Sequence, residues 1–584
     1  MNLKFRENNI LNNYFFWKPT NLFWFFSFIA FLIWIFLGPI AWRHVDDFGP
    51  IHEYLTNDFS FKSWKFFIKD RLIAGWGSYP PIWTIWQILS LPFSYIGINQ
   101  ARYILLIQGF LSTLLTAYLT TCLSLNLYTN ISQNNKYQIN KIRYFIEILS
   151  ISLNCFNPEI MFHASSNMPY NLPAITTISL LLLLFPCNYK FFEKSINCKK
   201  IIFTIPSGYF LILCFLTLFL GFQTVILFLA FLITYTTKII FLNKDFYLDL
   251  NKIIYNTSQK FLKINKKFIF VILFLSAFLI LSYFYKFTFL LSTDTKAGNW
   301  SSGIDNIYNL NILENDFRSW IIKTINNTSS IIGLSLYPLK KLQAVISYIL
   351  SIPLLFGFLI LLKKNKYLCL FALNTLLVFL ITITLTSFDK FIYTPTRHTI
   401  FLYPYIWLVL IISLLDIFVY FEVRFQRISY LNLFNLSLGI FLFYSIGLSN
   451  SHELIQYTRG ERDKLVELAK KADYQINLSF SFFPSHGSEE FKASRLEECD
   501  PRQNYNKLKF FIYSHRNFGM ESFSNNYLKN ILINNTKGCI TKNDKIRVIE
   551  KIESYSKFDI EQNNNIYNGG SSIYAYLIEV DLNN

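Results

Sequence analysis

Two adjacent carboxylates raise the first chemical question about this chain. They lie in the run Arg43-His44-Val45-Asp46-Asp47-Phe48-Gly49-Pro50, directly after a long apolar segment. Like charges this close repel unless a metal ion, a cationic partner or a proton offsets them. Held in that way, the pair could accept a proton from a hydroxyl or bind a divalent metal, for which Asp46, Asp47 and His44 are the candidate ligands. The plainer reading is a solvated loop that ends a helix. Glu159 and His163 fall four apart on one helical face near the end of another apolar segment. Ionisable groups there either serve function or pair with one another. Arg397-His398-Thr399 places a cation at the head of a Pro-containing apolar stretch, where an Arg either binds an anion or merely extends its charge to the interface.

Groups of this kind need a scaffold, and the composition identifies it. Of 584 residues, 53% are hydrophobic and 19% aromatic, whereas 15% are charged; mean hydropathy is +0.32. A soluble chain carries about a quarter charged residues. Many segments here reach the roughly 20 apolar residues that a bilayer-crossing helix requires. The expected spans are Thr20–Trp42, Arg102–Ser124, Tyr144–His163, Met168–Pro186, Ile201–Leu218, Gln223–Phe241, Phe268–Leu290, Ala344–Leu362, Tyr367–Thr386, Thr399–Phe421 and Tyr430–Leu448. The runs are too long and continuous for barrel strands, so the expected fold is mainly α, a polytopic membrane protein with about eleven transmembrane helices.

The formal charge of +18 does not describe a nucleic-acid footprint, because the Lys and Arg residues gather in short breaks between apolar segments. With the N-terminus inside, Lys18, Lys136, Lys141, Arg143 and the later basic clusters fall on the cytoplasmic face and the C-terminus outside, as the positive-inside rule asks. One short outer loop, Ser387–His398, departs from the rule by carrying Lys390 and Arg397. The membrane unit is then 1–448, with outer loops at 43–101 and 291–342. Within the first loop, Ile82–Ile96 reads as a helix lying in the interface. From 449 to 584 a small extracytoplasmic α/β domain is expected, with a helix at Arg459–Ala472 and strands at Ile476–Phe483, Leu508–Tyr513 and Ile573–Val580. Cys499 and Cys539 are the only cysteines in that region and could pair if it lies outside the cytoplasm.

Several stretches, in this order, resemble the GT-C superfamily of membrane glycosyltransferases, particularly the bacterial branch akin to protein O-mannosyltransferases and the lipid A aminoarabinose transferase. They are Asp46-Asp47, then Gly75-Trp76-Gly77-Ser78-Tyr79-Pro80-Pro81-Ile82-Trp83, Gly97-Ile98-Asn99 with Arg102, Asn157-Pro158-Glu159, Ser165-Ser166-Asn167-Met168-Pro169-Tyr170, and Arg397-His398-Thr399 leading to Tyr403-Pro404. The resemblance covers roughly 20–450. It departs from the aminoarabinose-transferase relatives before the Pro-Pro, where those have an acidic residue and a Lys and this chain has Ser78 and Tyr79.

The resemblance implies transfer of a sugar from a polyprenyl- or dolichyl-phosphate carrier to a glycan, lipid or protein acceptor, on the extracytoplasmic side of what would be a bacterial plasma membrane. It implies Asp46 or Asp47 as general base, Asp46 preferred, and Arg397 as the contact to the lipid phosphate, with His398 beside it. Lys69 and Arg71 are further cations for that phosphate, and Tyr79, Pro80, Pro81, Glu159, His163 and Tyr170 would line the cavity. A divalent metal is left open. The competing reading is a transporter or lipid-linked-sugar flippase. That would favour repeated halves and polar, broken helices at the midplane, whereas here the polar residues gather at the outer ends of the spans and no repeat is evident.

Overall fold

The computed structural model describes residues 13–38, 86, 89, 98–131, 138–164, 171–185, 202–206, 223–242, 310–312, 315–336, 354–355, 357–359, 361–362, 366–388, 391, 393, 397–425, 430–450, 468, 471–477, 506–517, 524–536, 539–554 and 571–582. Helices dominate these residues. Three of them hold apolar stretches long enough to cross a membrane: Tyr103–Tyr128, Leu368–Ser387 and His398–Ile417. The predicted spans at 268–290 and most of 344–362 lie outside the described residues, as does nearly all of the outer loop 43–101. In that loop only Trp86, Leu89 and residues 98–101 are described, and all are helical.

The first helix, α1 (Asn21–Leu37), starts where Thr20 Oγ1 accepts the Phe23 N–H, a side-chain cap for an otherwise unpaired donor. It stops at Gly38, which adopts φ 73° and returns its N–H to the carbonyls of Trp34 and Ile35. Left-handed backbone of this kind favours glycine. The predicted span Thr20–Trp42 is therefore too long, and Asp46-Asp47 follow the helix end at a greater distance than the sequence reading assumed.

Helix α2 runs from Ile98 to Ile131, longer at both ends than predicted. The third span is broken, as the Asn-Pro pair suggested, into α3 (Gln138–Cys155) and a short α4 (Pro158–Ala164). Next come α5 (Leu172–Leu184), α6 (Gln223–Leu242), α7 (Phe317–Ser335), α8 (Lys366–Ser387), a 3-10 helix (Arg397–Leu402) continuous with α9 (Tyr403–Phe425), and α10 (Tyr430–Asn450). Two findings correct the sequence reading. The predicted span at Ile201–Leu218 opens as a strand, β2 (Ile202–Pro206), paired antiparallel with β1 (Asn13–Trp17); aromatic and β-branched residues on both sides suit a ladder. And α7 lies in what was read as plain outer loop.

These helices bury an apolar core and also turn apolar side chains outward, while polar ones are drawn inside. On α1, Trp24, Phe28, Leu32 and Phe36, four apart, form an exposed apolar stripe, with Phe36 84% exposed. On α2, Leu111 and Leu115 are exposed while Ser112, Thr116 and Thr120 are buried, each hydroxyl donating to a carbonyl three or four residues back. Leu229 and Ile233 on α6, and Leu376 and Leu380 on α8, repeat the outward stripe. A soluble protein rarely exposes apolar surface so continuously, whereas a lipid-solvated bundle does so by default. Close packing uses small residues: Gly357 lies directly against the Ser413 side chain of α9, leaving no room for a Cβ.

The C-terminal unit is a four-stranded sheet in the order β3-β4-β6-β5, formed by β3 (Tyr474–Asn477), β4 (Lys507–Asn517), β5 (Lys545–Ser554) and β6 (Ser571–Asp581). The β3–β4 pair is parallel and the others are antiparallel. Helix α11 (Asn525–Asn535) covers one face, where Leu528, Ile531 and Leu532 pack on Phe510, Ile512, Tyr576 and Ile578. The opposite face gathers Phe511, Ala575 and Leu577 with Leu468. Of the predicted helix at Arg459–Ala472, Leu468 is helical, whereas Lys471 and Ala472 are described outside any helix.

Candidate functional site

Asn157 organises the region that the sequence pattern singled out. Its carboxamide oxygen accepts the N–H groups of Glu159 and Ile160, starting α4, with Pro158 at the first helical position, where a missing donor costs nothing. Its NH2 group donates to the carbonyls of Leu334 and Ser335 at 2.9 and 3.0 Å. Trp407 Nε1 of α9 also donates to Ser335 O at 2.8 Å, and the Tyr444 hydroxyl of α10 donates to Leu336 O at 2.9 Å. The C-terminal carbonyls of α7, orphaned by helix geometry, are thus satisfied from three separate helical regions.

The rest of α7 is bonded to the loop that carries the unexpected positive charge. Asn327 is fully buried, and its NH2 group donates to Tyr393 O at 2.8 Å. Although Asn327-Thr328-Ser329 has the sequence of a glycan acceptor, that amide is occupied inside the fold. Thr328 Oγ1 and the Tyr393 hydroxyl share a hydrogen bond of 2.8 Å. Burial pushes the Tyr393 phenol well above its ordinary pKa, so it remains a hydroxyl. Trp320 Nε1 donates to Ser387 Oγ at 2.9 Å, and the Ile312 N–H donates to Ser387 O at 3.1 Å.

Glu159 and His163, predicted to share a face, do so. His163 Nε2 lies 3.4 Å from Glu159 Oε2, with the imidazole 3% exposed and the carboxylate 22%. The two groups are thus within ion-pair distance of each other. Their helix α4 packs against the 3-10 helix headed by Arg397, as does α5, whose Thr177 hydroxyl donates to Phe401 O at 2.9 Å. The fold therefore packs the helix that carries Glu159 and His163 against the 3-10 helix that Arg397 opens. The backbone of Arg397 opens the 3-10 helix, and His398 beside it is half-buried. Asp46, Asp47, His44, Lys69, Arg71, Tyr79, Pro80, Pro81 and Tyr170 lie outside the described residues. Among the described residues no three His, Cys, Asp or Glu side chains converge as a metal site.

A second polar cluster lies at the opposite ends of the same helices and was not anticipated. Arg143 Nε and Glu147 Oε1 of α3 form a salt bridge of 3.1 Å, 8% and 1% exposed. Glu147 also accepts the Thr20 hydroxyl and the Thr20 N–H. The guanidinium stands 5.8 Å from the Trp17 ring centroid, while Trp17 Nε1 donates to Asn126 Oδ1 at 3.1 Å and Tyr118 donates to Trp17 O at 2.9 Å. The spacing of Arg143 and Glu147, four apart, is the signal that could have revealed it. In the sheet domain, Lys507 lies 3.1 Å from Asp581 and 3.5 Å from Glu579, and both carboxylates hold its ammonium above the usual lysine range. Cys539 is disulfide-bonded, and its partner lies outside the described residues. No protein-family model matches the chain, and comparison with curated proteins gives no significant match.

Proposed function

We propose that this chain is a membrane glycosyltransferase of GT-C type, with about eleven spans, that moves a sugar from a polyprenyl- or dolichyl-phosphate carrier to an extracytoplasmic acceptor. The observation that carries the reading is the packing of α4 on the 3-10 helix headed by Arg397. It draws together two distant stretches of the ordered sequence pattern at one end of the bundle, beneath a loop helix held there by Asn157, Trp407 and Tyr444. The N-inside orientation is supported by Lys18 and Arg143 lying with the Trp17–Glu147 cluster, away from the Asn157 break. The disulfide at Cys539 supports an oxidising compartment for the sheet domain.

In this reading the acceptor hydroxyl attacks the anomeric carbon and loses its proton to Asp46, or to Asp47. The bond from that carbon to the phosphate oxygen breaks, and the lipid phosphate leaves with the electron pair, its charge met by Arg397. Inversion at the anomeric carbon follows from attack opposite the leaving group. The test is transfer in membranes carrying Asp46→Asn or Asp47→Asn at unchanged protein level. The expected loss is at least about a hundredfold for the variant that removes the base. Mass spectrometry of cell-envelope glycans with and without the intact protein should then show one missing sugar. An unchanged glycan profile together with a solute that fails to cross the membrane would replace this reading with a transporter.

A further inference from the structure

We infer that α7 is an interfacial anchor whose outward face binds the lipid surface, with Arg318 engaging anionic headgroups. The helix begins at Asp316, whose carboxylate accepts the Ser319 N–H at 2.6 Å, and one side of it is fixed to protein through Trp320, Asn327 and Thr328. The opposite side presents Ile322 and Ile325, and the first turn adds Phe317, 70% exposed, and Arg318, also exposed.

What covers this face follows from its continuity with α8. Leu376 and Leu380 form the outward stripe of that candidate span, and Phe388, the turn residue just past its end, is 59% exposed. The neighbouring Ser387 is bonded to Trp320 and to the backbone of Ile312, itself exposed. Exposed apolar residues thus extend from the outward side of α8, past the exposed Thr384, to the segment bonded to the start of α7. This sets α7 at the level where the hydrocarbon ends. An apolar helical face with a cation beside it, held at that depth, matches the chemistry of a headgroup boundary.

The experiment uses the full chain in vesicles of equal parts phosphatidylcholine and phosphatidylglycerol, with a benzophenone amino acid at Ile322 or Ile325. Phe28, on the outward stripe of α1, is the positive control, and Tyr527, on the water-facing side of α11, is the negative one. Illumination is expected to give lipid adducts at Ile322 and Ile325 and none at Tyr527. Failure of both positions while Phe28 reacts would overturn the proposal, as would adducts to a protein chain in place of lipid. Arg318→Gln should lower the ratio of phosphatidylglycerol to phosphatidylcholine adducts at Ile322 by about fivefold, the factor for one cation near an anionic surface. An unchanged ratio would remove the headgroup from the proposal.

Discussion

Helix α11 of the sheet domain turns Leu528, Ile531 and Leu532 inward and shows Asn525, Asn526, Asn530 and Asn534 to the outside. Helix α2 of the bundle does the reverse, burying Ser112, Thr116 and Thr120 and exposing Leu111 and Leu115. Both helices obey the same rule, that each side chain goes where its polarity costs least, but the solvents differ. In the sheet domain, removing apolar area from water drives the packing. In the bundle, lipid offers no such gain, and buried polar contacts with close approaches such as Gly357 on Ser413 carry more of the specificity. The strongest polar contacts in the two regions differ in the same sense. Arg143–Glu147 is dry, whereas Lys507–Asp581 is open to water.

The largest effect expected from that contrast comes from breaking the dry pair. Arg143→Met leaves a buried carboxylate without its cation and should cost about 3–5 kcal/mol, read as a fall in unfolding temperature of the detergent-solubilised protein. Lys507→Met, at a solvated pair, should leave the transition unchanged in moderate salt. Next is a pair of matched charge insertions on exposed apolar residues. Phe28→Lys, near the middle of α1, should cost about 3 kcal/mol of insertion free energy and reduce the yield of membrane-integrated protein. Ile549→Lys, at an exposed position of β5, should stay within about 0.5 kcal/mol. If both were silent, the lipid-facing assignment of α1 would be wrong.

Smaller effects sharpen the picture at α7. Asn157→Ala leaves the carbonyls of Leu334 and Ser335 and the amides of Glu159 and Ile160 without this partner, and should cost about 1–3 kcal/mol; faster amide exchange at the α4 start would report the site of damage. The smallest is a pH effect at Asp316, whose carboxylate is held below its ordinary 3.8 by the Ser319 hydroxyl and then by the Ser319 N–H. A depressed carboxylate adds stability that is complete above its unfolded value and is lost as pH falls through the folded one. Acidification through that range should lower the protection of the Ser319 amide relative to its intrinsic exchange rate, and Asp316→Asn should remove the dependence.

The long apolar runs were legible because hydrocarbon solvation leaves little choice of structure: Gln223–Phe241 became Gln223–Leu242, and Tyr367–Thr386 became Lys366–Ser387. Failures came where local backbone chemistry or tertiary pairing decided the outcome. Gly38 ended α1 early, and Ile202–Pro206 took a strand partner near the N-terminus, invisible to a hydropathy window. Helix α7 was hidden because its inward residues, Asn327 and Thr328, are polar and find partners only in the loop at Tyr393. Strand β5 was obscured by a bulge between Val548 and Glu550, which shifts the apolar alternation so that Ile546 and Val548 face α11 while Ile552 joins Leu468. Of the candidate site, the Asn157–Glu159 break and the helix headed by Arg397 were readable as motifs. Their contact was not, since nothing local encodes which distant helix end a short helix will meet.

The bond between Thr20 and Glu147 joins residues 127 positions apart, which sets a schedule for synthesis. At ribosomal speeds of about 5–20 residues per second, the opening helix waits roughly 6 to 25 seconds in the membrane before the carboxylate that anchors its base has been made. Over that interval its orientation rests on flanking charge alone, so reversing the sign of Lys18 should do most harm to nascent chains and least to molecules already assembled.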